Sequence, residues 1–325
     1  RSGGHFATLY THIDDFVESL RTATPAGMME SRRLPGSGAG PSPDRLIIGS
    51  EGALGIITEA WMRLQDRPRF RASASVLFDD FQRAAEAVQA LAQSGLNPSN
   101  CRLVDANECL VSGVNDGSAH VLVLGFESAD HEVGAKMARA LELVRDHGGK
   151  VDEAGLAGAE GHKHGAVGAW RRTFIRMPYF REVLTGYGII QDTFETAITW
   201  DRFEAFHQAV MAATAQALEA VTGKPGIVTC RFTHVYPDGP APYYGFHALG
   251  DRTRLLDQWW AIKRAVSDAV IAQGGTITHH HAVGRNHMPW YQQQSPRLFA
   301  RALRGAKAAL DPNGIMNPGV LVDLA

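Results

Sequence analysis

What is scarce in this chain narrows its reading before any motif is considered. Three cysteines, Cys101, Cys109 and Cys230, occur in 325 residues. None forms a Cys-x-x-Cys pair and their number is odd, so reduced thiols in a cytoplasm-like compartment are expected rather than a disulfide framework. No apolar run approaches the ~20 residues that a bilayer-spanning helix requires. The amino terminus shows neither a charged-then-apolar signal sequence nor a lipidation motif, so a soluble, cytoplasmic protein is expected. Net charge is scarce as well: 32 Lys and Arg face 34 Asp and Glu. That balance provides no field for a phosphate backbone, and nucleic acid is not an expected partner. Gly-Lys-Ser/Thr is absent, which excludes a Walker loop, and no Gly-x-Gly-x-x-Gly opens a helix pattern.

What is present suits an ordinary globular protein of two modest domains. Apolar residues make up 45% of the chain and charged residues 20%, enough to bury a sizeable core. The opening Arg1-Ser2-Gly3-Gly4-His5 reads like the interior of a loop, so a truncated or processed chain is expected. Leu46-Ile47-Ile48 and Gly55-Ile56-Ile57-Thr58 read as extended segments, preceded by a Gly- and Pro-rich surface loop over 36–43. After Arg67-Pro68 the rhythm becomes strand followed by amphipathic helix, repeated. Ala72 to Phe78 predicts a strand, and Asp80 predicts the cap of a helix that carries Phe81, Ala84, Ala85, Val88 and Leu91 on one side. A second such unit runs from Ala119 to Gly149 with its helix starting near Asp130. A third starts at Gln191, its helix opened by Asp201, and a fourth spans Tyr243 to Ala272 with its helix from about Arg252. Hairpin-like strand pairs between these units predict antiparallel sheet with helices on one face, an α+β plate. A last helix is expected from Arg297 to Leu310.

Four segments carry chemistry. Gly49-Ser50-Glu51-Gly52-Ala53-Leu54-Gly55 lets backbone approach a ligand closely, or makes a tight turn. His279-His280-His281 lies in an extended stretch whose side chains alternate in direction, which weighs against a three-His metal site and favours proton transfer or anion binding. Tyr243-Tyr244 follows a Pro-rich connector. Either both rings pack, one on each face of the sheet, or Tyr243 acts as an acid or base under a neighbouring positive charge. Arg102 sits in an apolar run that calls for a buried partner, and Arg181 lies beside aromatics.

Taken together, Gly49 to Glu59, Trp200-Asp201-Arg202-Phe203, Arg231 to Tyr236, Tyr243 and His279 to Gly284 resemble the alkyldihydroxyacetonephosphate synthases, within the vanillyl-alcohol-oxidase class of FAD-linked enzymes. The resemblance implies an α+β chain made of the C-terminal remainder of a PCMH-type FAD-binding domain, residues 1–68, with the earlier half of that domain preceding residue 1. A cap domain of antiparallel sheet flanked by helices would cover 69–290, and a tail over 291–325 would return to the flavin domain. It implies FAD lined by Arg1, Ser2, Gly3, Glu51, Gly52, Ala53, Leu54, Gly55, Ile56 and Ile57. It makes Tyr243 the catalytic acid/base, Arg181 the holder of a substrate phosphate, His279, His280 and His281 an essential loop, and Arg102 an arginine near it. Asn317 to Gly319 fall at a carboxy-terminal stretch that also matters in the family.

The implied reaction exchanges the acyl group of acyl-dihydroxyacetone phosphate for a fatty alcohol through a flavin N5 adduct, giving an ether lipid. A homodimer is implied, and a peripheral membrane contact for the lipid substrate is left open. The competing reading is an FAD-linked oxidoreductase of D-lactate or glycolate type. Those enzymes resemble one another in a His-x-Gly-Asp-Gly-Asn-x-His metal motif, whereas Tyr243 stands here at the second histidine, so no metal is expected. A third, non-enzymatic reading is a paralogue that no longer holds flavin. The ending Val322-Asp323-Leu324-Ala325 carries no peroxisomal address, and the Pro237 to Pro242 connector departs from animal-type members.

Overall fold

The structure is a computed structural model that describes residues 3, 9–35, 39–151, 179 and 181–324. Its elements are, in chain order, β1 (Val17–Thr24), β2 (Gly27–Glu30), α1 (Pro43–Ile47), β3 (Ile56–Met62), β4 (Phe70–Phe78) and α2 (Phe81–Gln93). Then follow β5 (Asn100–Val104), α3 (Ala106–Ser112), β6 (His120–Ser128), α4 (Gly134–Asp146), β7 (Lys150–Val151) and β8 (Ile189–Glu195). The remainder is α5 (Trp200–Thr222), β9 (Ile227–Val235), β10 (Pro240–Leu249), α6 (Leu255–Ala272), α7 (Met288–Gln294) and α8 (Arg297–Leu310). The chain divides into two compact units, one built on Tyr10–Gln65 with His280–Ala325 and one on Asp66–His279.

In the first unit, β1 pairs antiparallel with β2 and β3, in the order β2-β1-β3. The turn between β1 and β2 needs a glycine at Gly27, whose φ is 137°. Leu46-Ile47 belongs to helix α1, correcting the extended reading. Ser42 Oγ accepts from Arg45 N at 3.3 Å and Pro43 sits in the first turn, two helix-opening signals that outweigh the β-branched run. Leu20, Ile47, Ile48 and Leu54 form the core of this unit, with Leu303 and Leu310 of α8 packed against it. Lys307 is buried beside them. Its Nζ donates to Asp311 Oδ2 at 2.6 Å, Ala53 O at 2.8 Å and Met316 O at 2.6 Å. Three acceptors satisfy the three ammonium hydrogens, which is what a buried lysine requires.

The second unit is a seven-stranded sheet in the order β7-β4-β6-β5-β9-β10-β8, and its pairings are antiparallel. Helices α2, α4, α5 and α6 cover one face. Ala84, Val88 and Leu91, Met137 and Val144, Phe203 and Phe206, and Ile262 and Val266 share one core with Val76, Leu122, Phe232, Tyr244 and Phe246 of the strands. Asp80 caps α2 as expected, its Oδ1 accepting from Arg83 N at 2.8 Å. Two expected helix starts move inward: α4 begins at Gly134 and α6 at Leu255. Thr199, not Asp201, takes the N-cap position of α5. The strand β5 and the helix α3 behind it were not foreseen. Asp105 starts α3 by accepting from Glu108 N at 2.6 Å, and Gly113 ends it at φ 69°.

Candidate active site

Successive strand residues point to opposite faces, so the Tyr243-Tyr244 pair is divided by the sheet. Tyr244 enters the helix-side core, fully buried, stacked on Phe194 at 4.9 Å. Tyr243 faces the other side, where its cross-strand partners are Arg231 on β9 and Glu195 on β8. Its hydroxyl donates to Thr193 Oγ1 at 2.9 Å, and the Arg231 guanidinium carbon lies 3.9 Å from its ring centroid. The guanidinium therefore makes a cation–π contact with the ring face. Arg231 is itself fixed by a buried ion pair with Glu108 of α3. The Asp105 cap therefore holds Glu108, Glu108 holds Arg231, and Arg231 lies on Tyr243.

Asp105 is strained electrostatically. Burial pushes its carboxyl up to about 7, while hydrogen bonds from Glu108 N and from Cys230 N, the latter at 2.7 Å, pull it back. Arg102, 1% exposed, shows the opposite sign. Burial lowers its guanidinium to about 9, repulsion from Arg231 adds to that, and Glu195 opposes it. Its Nη2 donates to Thr233 O at 3.3 Å.

Glu195 is a node that motif reading did not reveal. Thr233 Oγ1 donates to its Oε1 at 2.5 Å, and the same oxygen lies 3.6 Å from His279 Nδ1 and 3.9 Å from His234 Nδ1. Tyr236 OH and His279 Nε2 are 3.0 Å apart. One ligand atom from each of Glu195, His234 and His279 lies within 4.8 Å of the others, close enough to converge on a cation. Thr233 bonds the Glu195 carboxylate and Tyr236 bonds the far nitrogen of His279, which leaves the Nδ1 atoms of His279 and His234 facing the carboxylate. The second unit thus gathers Arg102, Arg231, Tyr243, Glu195, His234, Tyr236 and His279.

Arg181 is placed elsewhere. Its side chain is 58% exposed and lies 4.0 Å from Asp192 Oδ1. Asp192 sits next to Thr193 on β8 and so points to the helix side, where Trp259 Nε1 at 2.9 Å and Lys263 Nζ at 3.4 Å also reach it.

The first unit holds the glycine loop and the remaining histidines. Gly49 and Gly52 adopt φ of 86° and 76°, which only glycine does without strain. Gly55 is required for another reason: a Cβ there would sit 2.8 Å from Ala23 O, so it lets β3 pack on β1. Ala53 and Leu54 turn their side chains into the core, at 1% and 0% exposure, leaving only backbone to meet a ligand. Ile56 and Ile57 are 61% and 45% exposed. Exposed Ile56 and Ile57 thus follow the buried Ala53 and Leu54 at the end of the glycine loop. Gly3 donates its N–H to Thr11 O at 2.6 Å. Arg1 and Ser2 lie outside the described residues. The Glu51 carboxylate accepts from Val283 N at 2.7 Å and Gly284 N at 2.8 Å, directly beyond His280-His281. His280 meets His12 edge to face at 5.2 Å.

A large antiparallel sheet covered by helices on one face, together with a small three-stranded unit, is an α+β architecture. The chain belongs to the family of FAD linked oxidases, C-terminal domain, whose pattern it matches over residues 67–321. FAD is the cofactor of that family. Among curated relatives it is 26% identical over 347 residues to the alkyldihydroxyacetonephosphate synthase of Dictyostelium discoideum, covering 99% of this chain and 55% of the relative. It is 28% identical over 356 residues to that of Caenorhabditis elegans, covering 100% and 58%. Glycolate oxidase subunit GlcD of Bacillus subtilis is 25% identical over 329 residues, covering 98% and 65%. The chain thus spans little more than half the length of the two synthases. A solved alkyldihydroxyacetonephosphate synthase shares the fold with a TM-score of 0.72 at 22% identity, covering 97% of this chain and 57% of its own. P-cresol methylhydroxylase does so at 0.73 and 15%, covering 98% and 67%.

Proposed function

We propose that the protein to which this chain belongs is an FAD-dependent alkyl transferase of the alkylglycerone-phosphate synthase type, exchanging the acyl group of acyl-dihydroxyacetone phosphate for a fatty alcohol. The observation that carries this reading is Tyr243 beneath Arg231. A phenol stands where the 2-hydroxyacid enzymes carry a second metal histidine, and it has a fixed cation on its ring face. Bound FAD supplies the centre at which the substrate carbon is held while one oxygen substituent replaces another. The chain's own residues handle protons and charge. Tyr243, anchored by Thr193, takes and returns the proton of the reacting carbon. His279, held between Tyr236 and Glu195, receives the proton of the incoming alcohol as its oxygen bonds to the carbon and the fatty acid leaves as carboxylate. The family resemblance assigns the substrate phosphate to Arg181, but that side chain lies by Asp192 on the helix side of the sheet, away from Tyr243, so the pairing of the two is the weakest link of this reading; His280 with His281 completes the histidine segment. Backbone of Glu51 to Ile57 and the open Ile56 and Ile57 side chains hold the flavin.

The test uses the full-length, FAD-loaded protein. Incubation with acyl-dihydroxyacetone phosphate and labelled fatty alcohol is expected to give a labelled ether without bleaching the flavin. Bleaching by D-lactate or glycolate, with no ether formed, would instead support the oxidoreductase reading suggested by the glycolate oxidase relative. Tyr243→Phe is expected to lower ether formation by about 10²- to 10⁴-fold while the visible flavin spectrum persists, because the phenol moves a proton and does not bind the ring. Turnover retained in this variant removes the phenol from the mechanism.

A further inference from the structure

Glu51 is a glutamate in a conformation that suits glycine. Its φ is 52°, between Gly49 at 86° and Gly52 at 76°, and a side chain in that left-handed region carries a backbone cost. The unusual backbone aims the carboxylate at two successive amides: Oε1 accepts from Val283 N and Oε2 from Gly284 N, at 2.7 and 2.8 Å. Gly284 is itself left-handed, with φ 50°, so the pair of amides forms an anion-holding concavity, here filled by the protein's own side chain. The Glu51 carbonyl accepts from Asn317 Nδ2, and Asn317 is left-handed too, at φ 38°. Among the described residues, two of the four non-glycine left-handed positions meet at this junction. His287 fastens the far side of the same turn, with its N–H on Val283 O at 3.0 Å and its Nδ1 2.9 Å from Ala282 O.

We infer that Glu51 is a positioning residue whose carboxylate clamps the backbone directly after His280-His281, so that this side chain serves the histidine segment rather than the flavin. The catalytic value of the clamp rests on the transferase reading above, whereas the clamp itself does not. It accounts for a glutamate at a position where glycine would be less strained: two charge-assisted hydrogen bonds offset the backbone cost and fix the histidine segment to the glycine loop.

The experiment compares Glu51→Gly and Glu51→Gln in the full-length protein. Glycine relieves the left-handed strain while deleting the clamp, and glutamine keeps the length but presents an NH2 where an acceptor is needed. Glu51→Gly is expected to lose about tenfold or more in hydrogen-exchange protection at both the Val283 and Gly284 amides, the size expected for a lost charge-assisted hydrogen bond, and Glu51→Gln at one of them, because its remaining carbonyl oxygen still accepts. The melting temperature of Glu51→Gly is expected to hold, because relief of the left-handed strain offsets the lost hydrogen bonds, and ether formation should fall in kcat with KM retained. Unchanged protection at both amides in Glu51→Gly overturns the clamp, and so does a fall in FAD affinity accompanied by unchanged protection. Lost protection in a wild-type background that makes no ether leaves the clamp standing and overturns only the transferase reading.

Discussion

Single buried titratable groups set the pH response of the second unit. His207 is stacked against Phe81 at 4.9 Å and Phe203 at 5.4 Å, with its Nδ1 3.1 Å from Tyr244 OH. Burial lowers it to about 4, and His120 adds to the effect. The unfolded chain therefore binds a proton from pH 6.5 downward that the folded chain refuses, and stability is lost as pH falls from 6.5 toward 4. Asp105 works in the other direction. Its carboxyl is raised by burial to about 7, so its contribution is fully present below pH 3.8 and fades as pH rises through 7. Each contributes a slope of at most about 1.4 kcal/mol per pH unit inside its window. Urea midpoints measured from pH 5 to 7 should separate them: His207→Phe should reduce the loss at the acid end, whereas Asp105→Asn should reduce the loss toward pH 7. Identical pH profiles for both variants and the parent would show that neither group is perturbed as its surroundings require.

At the scale of elements, legibility followed local signals. The helix α2 could be read because its apolar face and its cap lie in one short stretch, and Asp80→Ala is expected to cost about 1 kcal/mol in urea unfolding with the m-value unchanged. α8 was equally plain, bounded by residues that stop a helix. The strand β5 and helix α3 were missed for a physical reason. Cys101 and Leu103 face the helix-side core, while Arg102 and Val104 face the other side, so both faces are buried and the alternation of apolar and polar residues disappears. α1 was read as extended because Leu-Ile-Ile favours strands, and the Ser-Pro helix start outweighed it. The candidate site divides in the same way. Tyr243, Arg102 and the histidines could be picked from the sequence by resemblance. Glu195, Glu108 and Thr193 carry no motif: sheet register sets Glu195 and Thr193 beside those residues, and the packing of helix α3 brings Glu108 to Arg231.

For the whole molecule, the chain is two compact units, and all three cysteines lie in the larger one. Burial pushes Cys101 and Cys109 up to about 12, and Cys230 is pushed well up by the same cause. The native protein is therefore expected to resist iodoacetamide at pH 8, with three thiols reacting together once denaturant opens that unit. Mass spectrometry of the labelled protein checks this, and labelling of one cysteine in the native state would contradict its burial. Both units leave apolar side chains at the surface, among them Ile56, Ile57 and Leu298 in the smaller one. Among the described residues no helix is long and apolar enough to cross a membrane.

The amino-acid sequence by itself determined the alternation of strands with amphipathic helices, the antiparallel α+β plan and the likeness that led to a flavin family. Those properties are written in periodicity, caps and short motifs, which act over a few neighbouring residues. Only the tertiary structure decided which carboxylate faces which cation: that Glu108 holds Arg231 over Tyr243, that Arg181 meets Asp192, and that Glu51 grips the backbone past the histidines. Such pairings join residues far apart in the chain, and what selects them is the register of strands and the cost of leaving a buried charge unmatched.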